Sequence, residues 1–311
     1  MNILIVGRGS IALQHKKNIE SYGHEATLFI SIFDYTFEND QSIISSFKNS
    51  LDSFDAVIVA NPSHKHFAFT SEALKKGKKV YLEKPPCLYS HELKKLIELD
   101  KNNNLISVGF QMRFSLGLMK LKSLVDENIN TLTSFNIHVG QALKYWRDGG
   151  INKDSYYADK KTGGGVIYEL SHELDMALWI FGRPNKISHK ALNLSHKDMN
   201  IEDFFHSIWE FNKFSGTVHM DMIDPVYNRY VEVIFSEYKL IWNIDNDSLK
   251  KISNKGSEVI YENTLFTRQD LISISMKNFL NYADGMEKWD GARLEESIPL
   301  IELFEDIENE K

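Results

Sequence analysis

Ile3-Leu4-Ile5-Val6-Gly7-Arg8-Gly9-Ser10-Ile11-Ala12 decides how the chain begins to fold. Four consecutive apolar residues read as a buried strand, and Gly7 ends it. The spacing Gly7-x-Gly9-x-x-Ala12 is a dinucleotide-binding pattern with alanine in third place. Each small residue has a reason: a tight turn at Gly7, close approach of the backbone to a pyrophosphate at Gly9, and close helix–strand packing at Ala12. Ile11 to Ser21 then reads as a helix. Its free N–H groups and positive dipole end suit phosphate. A ligand-free strand–helix turn carries similar punctuation, but the order strand, glycines, helix is the context that the dinucleotide reading requires.

Outward from this stretch the chain alternates. Ala26 to Ser31, Ala56 to Ala60, Lys79 to Leu82 and Ile106 to Phe110 read as strands, with helices over Phe67 to Lys76 and Ser90 to Asn102 between them. Such alternation predicts a doubly wound parallel sheet. Ligands sit at the carboxyl ends of its strands. Those ends read Asn61-Pro62-Ser63-His64-Lys65-His66, Glu83-Lys84-Pro85-Pro86 and Gln111-Met112-Arg113-Phe114. A lysine delivered by a strand end can polarise a hydroxyl or carbonyl, and Glu83 beside it can anchor backbone or a ribose. Plain turns would read similarly. Gln111 is placed with the coenzyme and Arg113 with the substrate. His15 reads as packing or helix surface.

The ribose position falls at Ser31, with Asp34 late for the role. No Lys or Arg occurs between Lys17 and Lys48 to hold a 2′-phosphate. NAD is therefore expected, with NADP open.

A second informative stretch is Gly163-Gly164-Gly165-Val166-Ile167-Tyr168-Glu169-Leu170-Ser171-His172-Glu173-Leu174-Asp175. Read as one helix, it places Val166, Ile167, Leu170, Leu174, Ala177, Leu178 and Phe181 on one arc. Glu169, His172, Glu173, Asp175 and Trp179 fill most of the other. Glu169, His172 and Asp175 step by three and share a face. A solvated polar face gives this wheel. So does a helix lining a cleft in which His172 moves protons. Ahead of it, the loop from Trp146-Arg147-Asp148-Gly149-Gly150 through Tyr156-Tyr157 is aromatic and donor-rich. Trp146 and Tyr157 suit a sugar ring, or pack on the domain surface.

Thr133 to Val139 reads as a strand, and Ile187 to Ile260 as successive strands with short turns that favour antiparallel pairing. An open sheet with one face covered by helices offers its other face to a second copy of the chain. Arg268 to Ala283 and Gly291 to Glu308 read as closing helices, the last acid-rich and solvated.

At 311 residues the chain suits two domains, divided here at 1–115 and 116–311. A net charge of −7 with dispersed Lys and Arg leaves no footprint for nucleic acid and disfavours anionic membranes. The lone Cys87 cannot form an internal disulfide and reads as core filler. No charged leader and no spanning apolar run is seen, so a cytoplasmic location is expected. His64 and His66 lack accompanying ligands, and no metal site is read.

Taken together, Gly7-x-Gly9-x-Ile11-x-x-x-His15, Asn61-Pro62-x-x-x-His66, Glu83-Lys84-Pro85 and Gly163-Gly164-Gly165 with His172-x-x-Asp175 resemble the Gfo/Idh/MocA oxidoreductases. The form Glu169-Leu170-Ser171-His172-Glu173-Leu174-Asp175, followed by Trp179-x-Phe181-Gly182, is similar to a branch linked to bacterial surface-sugar and nonulosonate pathways. The resemblance implies an N-terminal Rossmann doubly wound parallel sheet plus a C-terminal α+β domain with a large, mostly antiparallel open sheet. It implies a homodimer or homotetramer, and hydride transfer between a nicotinamide and a sugar, sugar nucleotide or polyol. Lys84 would hold the substrate hydroxyl beside the coenzyme, and His172 would be the general base or acid. Gly7, Gly9, Ser10 and Ile11 would cradle the pyrophosphate, Asn61, Pro62 and His66 would border the dinucleotide, and Glu83 would lie near the nicotinamide ribose. Many members carry an acid four residues before the histidine. Here that position is Tyr168, so Glu169 and Asp175 both stand as partners for His172. An imine, enone or dihydrodiol reductase, or a dinucleotide sensor without turnover, are the other readings of the same scaffold.

Overall fold

The computed structural model describes residues 1–29, 40–101, 104–146 and 151–309. The chain forms two compact units, Met1–Gln111 with Leu271–Glu305 and Met112–Asp270 with Asp306–Lys311.

In the first unit, β1 (Asn2–Val6), α1 (Ser10–Ser21), β2 (Glu25–Phe29), α2 (Asp40–Ser50), β3 (Ala56–Val59), α3 (His66–Lys75), β4 (Lys79–Leu82), α4 (Ser90–Asp100) and β5 (Ile106–Val108) follow in order. The strands form one parallel sheet in the order β2-β1-β3-β4-β5. Ile3 to Val6 and Ala56 to Val59 are at most 2% exposed, as expected of strands covered on both faces. Each such Val, Leu or Ile contributes about 1.5–3 kcal/mol of burial. The order reverses between β2-β1 and β3, which places a crevice beyond the carboxyl ends of β1 and β3. The helix α2 was not read from the sequence. The strand expected to reach Ser31 is described only to Phe29, and Ser31 lies outside the described residues.

The expected division at residue 115 places the closing helices in the second domain. The structure instead returns Leu271–Glu305 to the first unit. The cause is an aromatic cluster. Tyr81 is fully buried on β4, and its hydroxyl meets Ser275 at 2.9 Å on α8 (Arg268–Ala283). Its ring packs edge-on against Phe279 and Trp289.

The second unit holds α5 (Leu116–Glu127), β6 (Leu132–Gly140), α6 (Val166–Glu169), α7 (Ser171–Phe181) and β7 (Lys186–Leu192). It continues with β8 (Phe204–Glu210), β9 (Ser215–Asp221), β10 (Asn228–Phe235), β11 (Lys239–Asn243), β12 (Ser248–Ser253) and β13 (Gly256–Tyr261). Their sheet has the order β13-β12-β11-β10-β6-β9-β8-β7, and only the β6–β9 pair is parallel. Sequence proximity suggests that β9 and β10 pair. Instead β6 lies between them. Phe135, Ile137, Val139, Val218, Met220, Val231 and Val233 are buried on its inner face. Alternate residues Asn136, His138, Thr217, His219, Tyr230 and Glu232 are half-buried on the other. Phe181 of α7 stacks on Phe135 at 3.9 Å, and Gly216 makes room, since a Cβ there would stand 2.3 Å from that ring.

The last helix, α9 (Ile298–Asn309), is not a solvated surface element. Leu300, Ile301, Leu303, Phe304 and Ile307 are buried, and the acids occupy the remaining positions. The acids dominate the composition of this stretch and hide the apolar stripe that the helix buries.

Candidate active site

The turn after β1 shows two glycines under different constraints. Gly7 has φ +138°, and a Cβ there would lie 2.5 Å from the Ala60 carbonyl oxygen. Contact between neighbouring strand ends therefore excludes any side chain. Gly9 has φ −74° and ψ 175°, which any residue adopts, and a Cβ would meet no described atom within 4 Å. Packing does not require glycine at that position. A phosphate drawn up to the backbone does. No side chain caps α1, so the N–H groups of its first turn, at Ser10 and Ile11, remain suited to an anion.

Other features of this strand edge also fit a dinucleotide. Asn61 Oδ1 and Gln111 Oε1 are buried without a hydrogen-bond partner among the described residues. A buried acceptor left this way costs about 1–3 kcal/mol. Ribose hydroxyls and a carboxamide are donors of the kind these two acceptors lack. Pro62 follows Asn61 half-buried, at the head of the turn into α3.

His15 is fully buried, not on the helix surface, and its Nε2 lies 2.7 Å from Glu83 Oε1. The other Glu83 oxygen accepts the Lys84 N–H at 3.2 Å. Glu83 thus anchors backbone, one of the two roles read for it. His66 is 1% exposed, with Nδ1 2.8 Å from the Pro85 carbonyl and Nε2 2.8 Å from that of Asn61. Its ring ties the end of β3 to the end of β4 rather than presenting a nitrogen to a ligand. Burial lowers its pKa, opposed by the two carbonyls and by Glu83, with His64 acting alongside burial. From Val80 to Leu88, only Lys84 is not buried. Cys87 is fully buried and burial pushes its thiol up, as expected of filler.

In the second unit the glycine run and helix depart from the single-helix reading. A Cβ on Gly164 would stand 2.4 Å from the Tyr157 carbonyl oxygen. The helix breaks at Leu170, whose φ −103° and ψ 25° separate α6 from α7. Glu169 closes α6, half-buried, so the three-residue stepping to His172 does not run along one helix. The polar arc is not solvated either. His172 is 5% exposed, Asp175 2% and Glu173 0%.

Two arginines account for the buried acids. Arg113 grips Asp175 through two bonds, Nε to Oδ2 at 3.1 Å and a terminal nitrogen to Oδ1 at 2.7 Å. Arg229 of β10 sets its Nε 2.7 Å from Glu173 Oε1. Burial disfavours the Arg229 charge, but Glu173 and Tyr227 together outweigh it and raise the pKa. Arg113 was expected at the substrate, yet its side chain is 7% exposed and engaged by Asp175, with Trp179 at 5.7 Å. Arg229 and Glu173 were not singled out from the sequence, because nothing local marks residues 56 apart as partners.

Tyr157, also expected at the substrate, is 5% exposed, and its hydroxyl accepts the Asn152 N–H at 2.7 Å. It packs the loop. Trp146 is half-buried, and its indole N–H has no acceptor among the described residues. The expected loop segment 147–150 lies outside the described residues.

Comparison with known proteins agrees with this geometry. The oxidoreductase family with NAD-binding Rossmann fold, of Gfo/Idh/MocA type, matches residues 1–110, and the Gfo/Idh/MocA C-terminal domain matches 118–241. Oxidoreductase P35 of Formosa agariphila is 26% identical over 74% of this chain and 72% of its own. Other curated relatives match over about half of their length, as at 45% and 47%. The fold is shared with UDP-N-acetylglucosamine 3-dehydrogenase from Acidithiobacillus ferrooxidans, at TM-score 0.75 and 16% identity over 99% of this chain and 96% of that one. An inositol dehydrogenase homologue from Azotobacter vinelandii complexed with NAD⁺ gives 0.77 and 16% over 98% and 93%. Among the described residues no helix is long and apolar enough to cross a membrane. The chain belongs to the Gfo/Idh/MocA family of oxidoreductases with an NAD-binding Rossmann fold.

Proposed function

We propose that this chain moves a hydride between NAD and a carbinol carbon of a sugar, sugar nucleotide or related polyol. The observation that carries the reading is Lys84. It alone from Val80 to Leu88 is not buried, and the strand end around it is pinned by the His15–Glu83 pair and by His66. An ammonium held in place stabilises an alkoxide as its charge develops. His172 takes the hydroxyl proton in oxidation and returns it in reduction. Asp175, bound to Arg113, and Glu173, bound to Arg229, fix the helix that carries it.

Gly7, Gly9, Ser10 and Ile11 would hold the pyrophosphate, and Asn61 and Gln111 would accept from the nucleoside parts. The coenzyme, when bound, supplies or takes up the hydride. The names of the fold neighbours fit a sugar nucleotide or a polyol, and surface-glycan sugar synthesis is the setting we favour. Assembly as a homodimer or homotetramer through the outer face of the eight-stranded sheet is part of the same reading, and sedimentation tests it.

Titration with NADH and NADPH, followed by nicotinamide fluorescence, comes first. NADH should bind at least about tenfold tighter, a difference of ~1.4 kcal/mol. A hydride-transfer screen of sugar nucleotides, free sugars and inositols then identifies the substrate. Lys84→Ala should lower kcat by at least about a hundredfold with NADH affinity little changed. Near wild-type turnover in that variant would overturn the assignment.

A further inference from the structure

The outer face of the eight-stranded sheet carries a constellation separate from the catalytic groups. His138 of β6 and His219 of β9 are direct register partners, and Asp221 follows two residues later on β9. Their rings stack at 4.8 Å with 9° between planes. The donor atoms of His138, His219 and Asp221 all lie within 4.8 Å of one another. His138 Nε2 is buried and has no hydrogen-bond partner among the described residues. His219 Nε2 meets Asp221 Oδ2 at 2.9 Å.

We propose that His138, His219 and Asp221 bind a divalent metal ion of the zinc class. Two imidazoles and one carboxylate are a ligand set for borderline cations, and three protein ligands leave a position open to water or an external ligand.

The surroundings hold the three groups in orientation, as outer-shell partners of metal ligands do. The Asp221 Oδ1 accepts the N–H groups of Ile223 at 2.9 Å and Asp224 at 2.7 Å, which leaves Oδ2 turned toward His219. Tyr230 stacks on the far side of His138 at 5.1 Å. A Cβ on Gly140, the register partner of Asp221, would stand 2.8 Å from Asp221 Oδ2 and 3.1 Å from an Asp224 oxygen. The absent side chain there lets a second carboxylate approach the cluster. Zinc–ligand bonds of about 2.0–2.1 Å set tetrahedral donors about 3.4 Å apart, so on metal binding the widest pair closes by at most about 1.4 Å and the His219–Asp221 pair opens by about 0.5 Å. The sequence reading found no metal site because these ligands are far apart in the chain, and only the insertion of β6 beside β9 brings them together.

The bland account is a His–Asp hydrogen bond beside a stacked ring. Calorimetry separates the two. Chelator-treated full-length protein, in whatever assembly it forms, is titrated with zinc chloride in a non-coordinating buffer. The proposal expects one equivalent per chain, with Kd about 1 μM or tighter. His138→Ala and His219→Ala should each weaken binding about a hundredfold, and Asp221→Asn, which keeps the amide-accepting oxygen, about tenfold. Cobalt(II) added to the unmodified protein should give a visible d–d absorption that zinc abolishes. That measurement needs no variant to fold. Absence of both zinc heat and cobalt absorption overturns the site. So does undiminished one-to-one zinc binding in the two histidine variants.

Discussion

His15 Nε2 and Glu83 Oε1 stand 2.7 Å apart across 68 residues of chain, with the His15 side chain fully buried and Glu83 8% exposed. The pair links the first helix of the coenzyme domain to the strand end that carries Lys84. Removing one member of a buried, hydrogen-bonded pair leaves the other uncompensated, which costs about 3–5 kcal/mol. His15→Ala should lose stability in that range by urea denaturation and weaken NADH binding as the Lys84 turn loosens. Glu83→Gln keeps an acceptor for the ring and should lose much less. Equal losses in the two variants would mean that the charge of Glu83, not its role as an acceptor, carries the link.

The second buried pair on α7 predicts a coupling. Arg229→Met alone strands the fully buried Glu173 and should destabilise by about 3–5 kcal/mol. Glu173→Leu alone strands the guanidinium. The double variant replaces the charges with apolar volume and should recover most of the loss, with an interaction energy of about 2 kcal/mol or more in a double-mutant cycle. An additive double variant would show that the two residues do not act as a pair.

His66 gives stability a pH dependence of known sign. Burial holds its folded pKa below the ordinary 6.5. Below that value the unfolded ring takes up a proton that the folded ring refuses. Stability contributed by the neutral ring is therefore present above pH 6.5 and is lost as pH falls toward the folded value. Between about pH 7.5 and about pH 5.5 the urea midpoint of the wild type should fall further than that of His66→Gln. Parallel pH profiles would remove His66 as the cause.

Much of the first unit was legible because its signals are local. The run Ile3 to Val6, the glycine spacing and the apolar strands of the sheet carry their own period and punctuation. The second unit was legible in class but not in connection, since β6 inserts between β9 and β10. Residues 166–181 do not form the single amphipathic helix that their pattern suggests, for two physical reasons. A backbone break at Leu170 resets the phase, and the neutralising arginines come from Arg113 and from β10. A buried acid whose partner is 56 or 62 residues away looks, in sequence, like a solvated one. The return of α8 to the first unit was hidden likewise, because the need of Tyr81 for Ser275 spans 194 residues.

The two glycines of the nucleotide turn allow a separation of fold from binding. Gly7→Ala meets both obstacles at once, a φ of +138° and a Cβ 2.5 Å from the Ala60 carbonyl oxygen. The strand ends must part to admit it, so the first unit should be destabilised by several kcal/mol, about 3 or more, with NADH binding lost as a consequence. Gly9→Ala meets neither obstacle. Its backbone suits alanine, and replacing glycine where the conformation permits tends to stabilise by about 0.4–1 kcal/mol. Its methyl group would instead stand where the pyrophosphate must approach the chain. Gly9→Ala should therefore melt at or above the wild-type temperature while its NADH Kd rises at least about tenfold. A variant that melts normally and binds NADH normally would remove Gly9 from the phosphate cradle. One that unfolds would show that the turn carries a packing constraint at Gly9 as well as at Gly7.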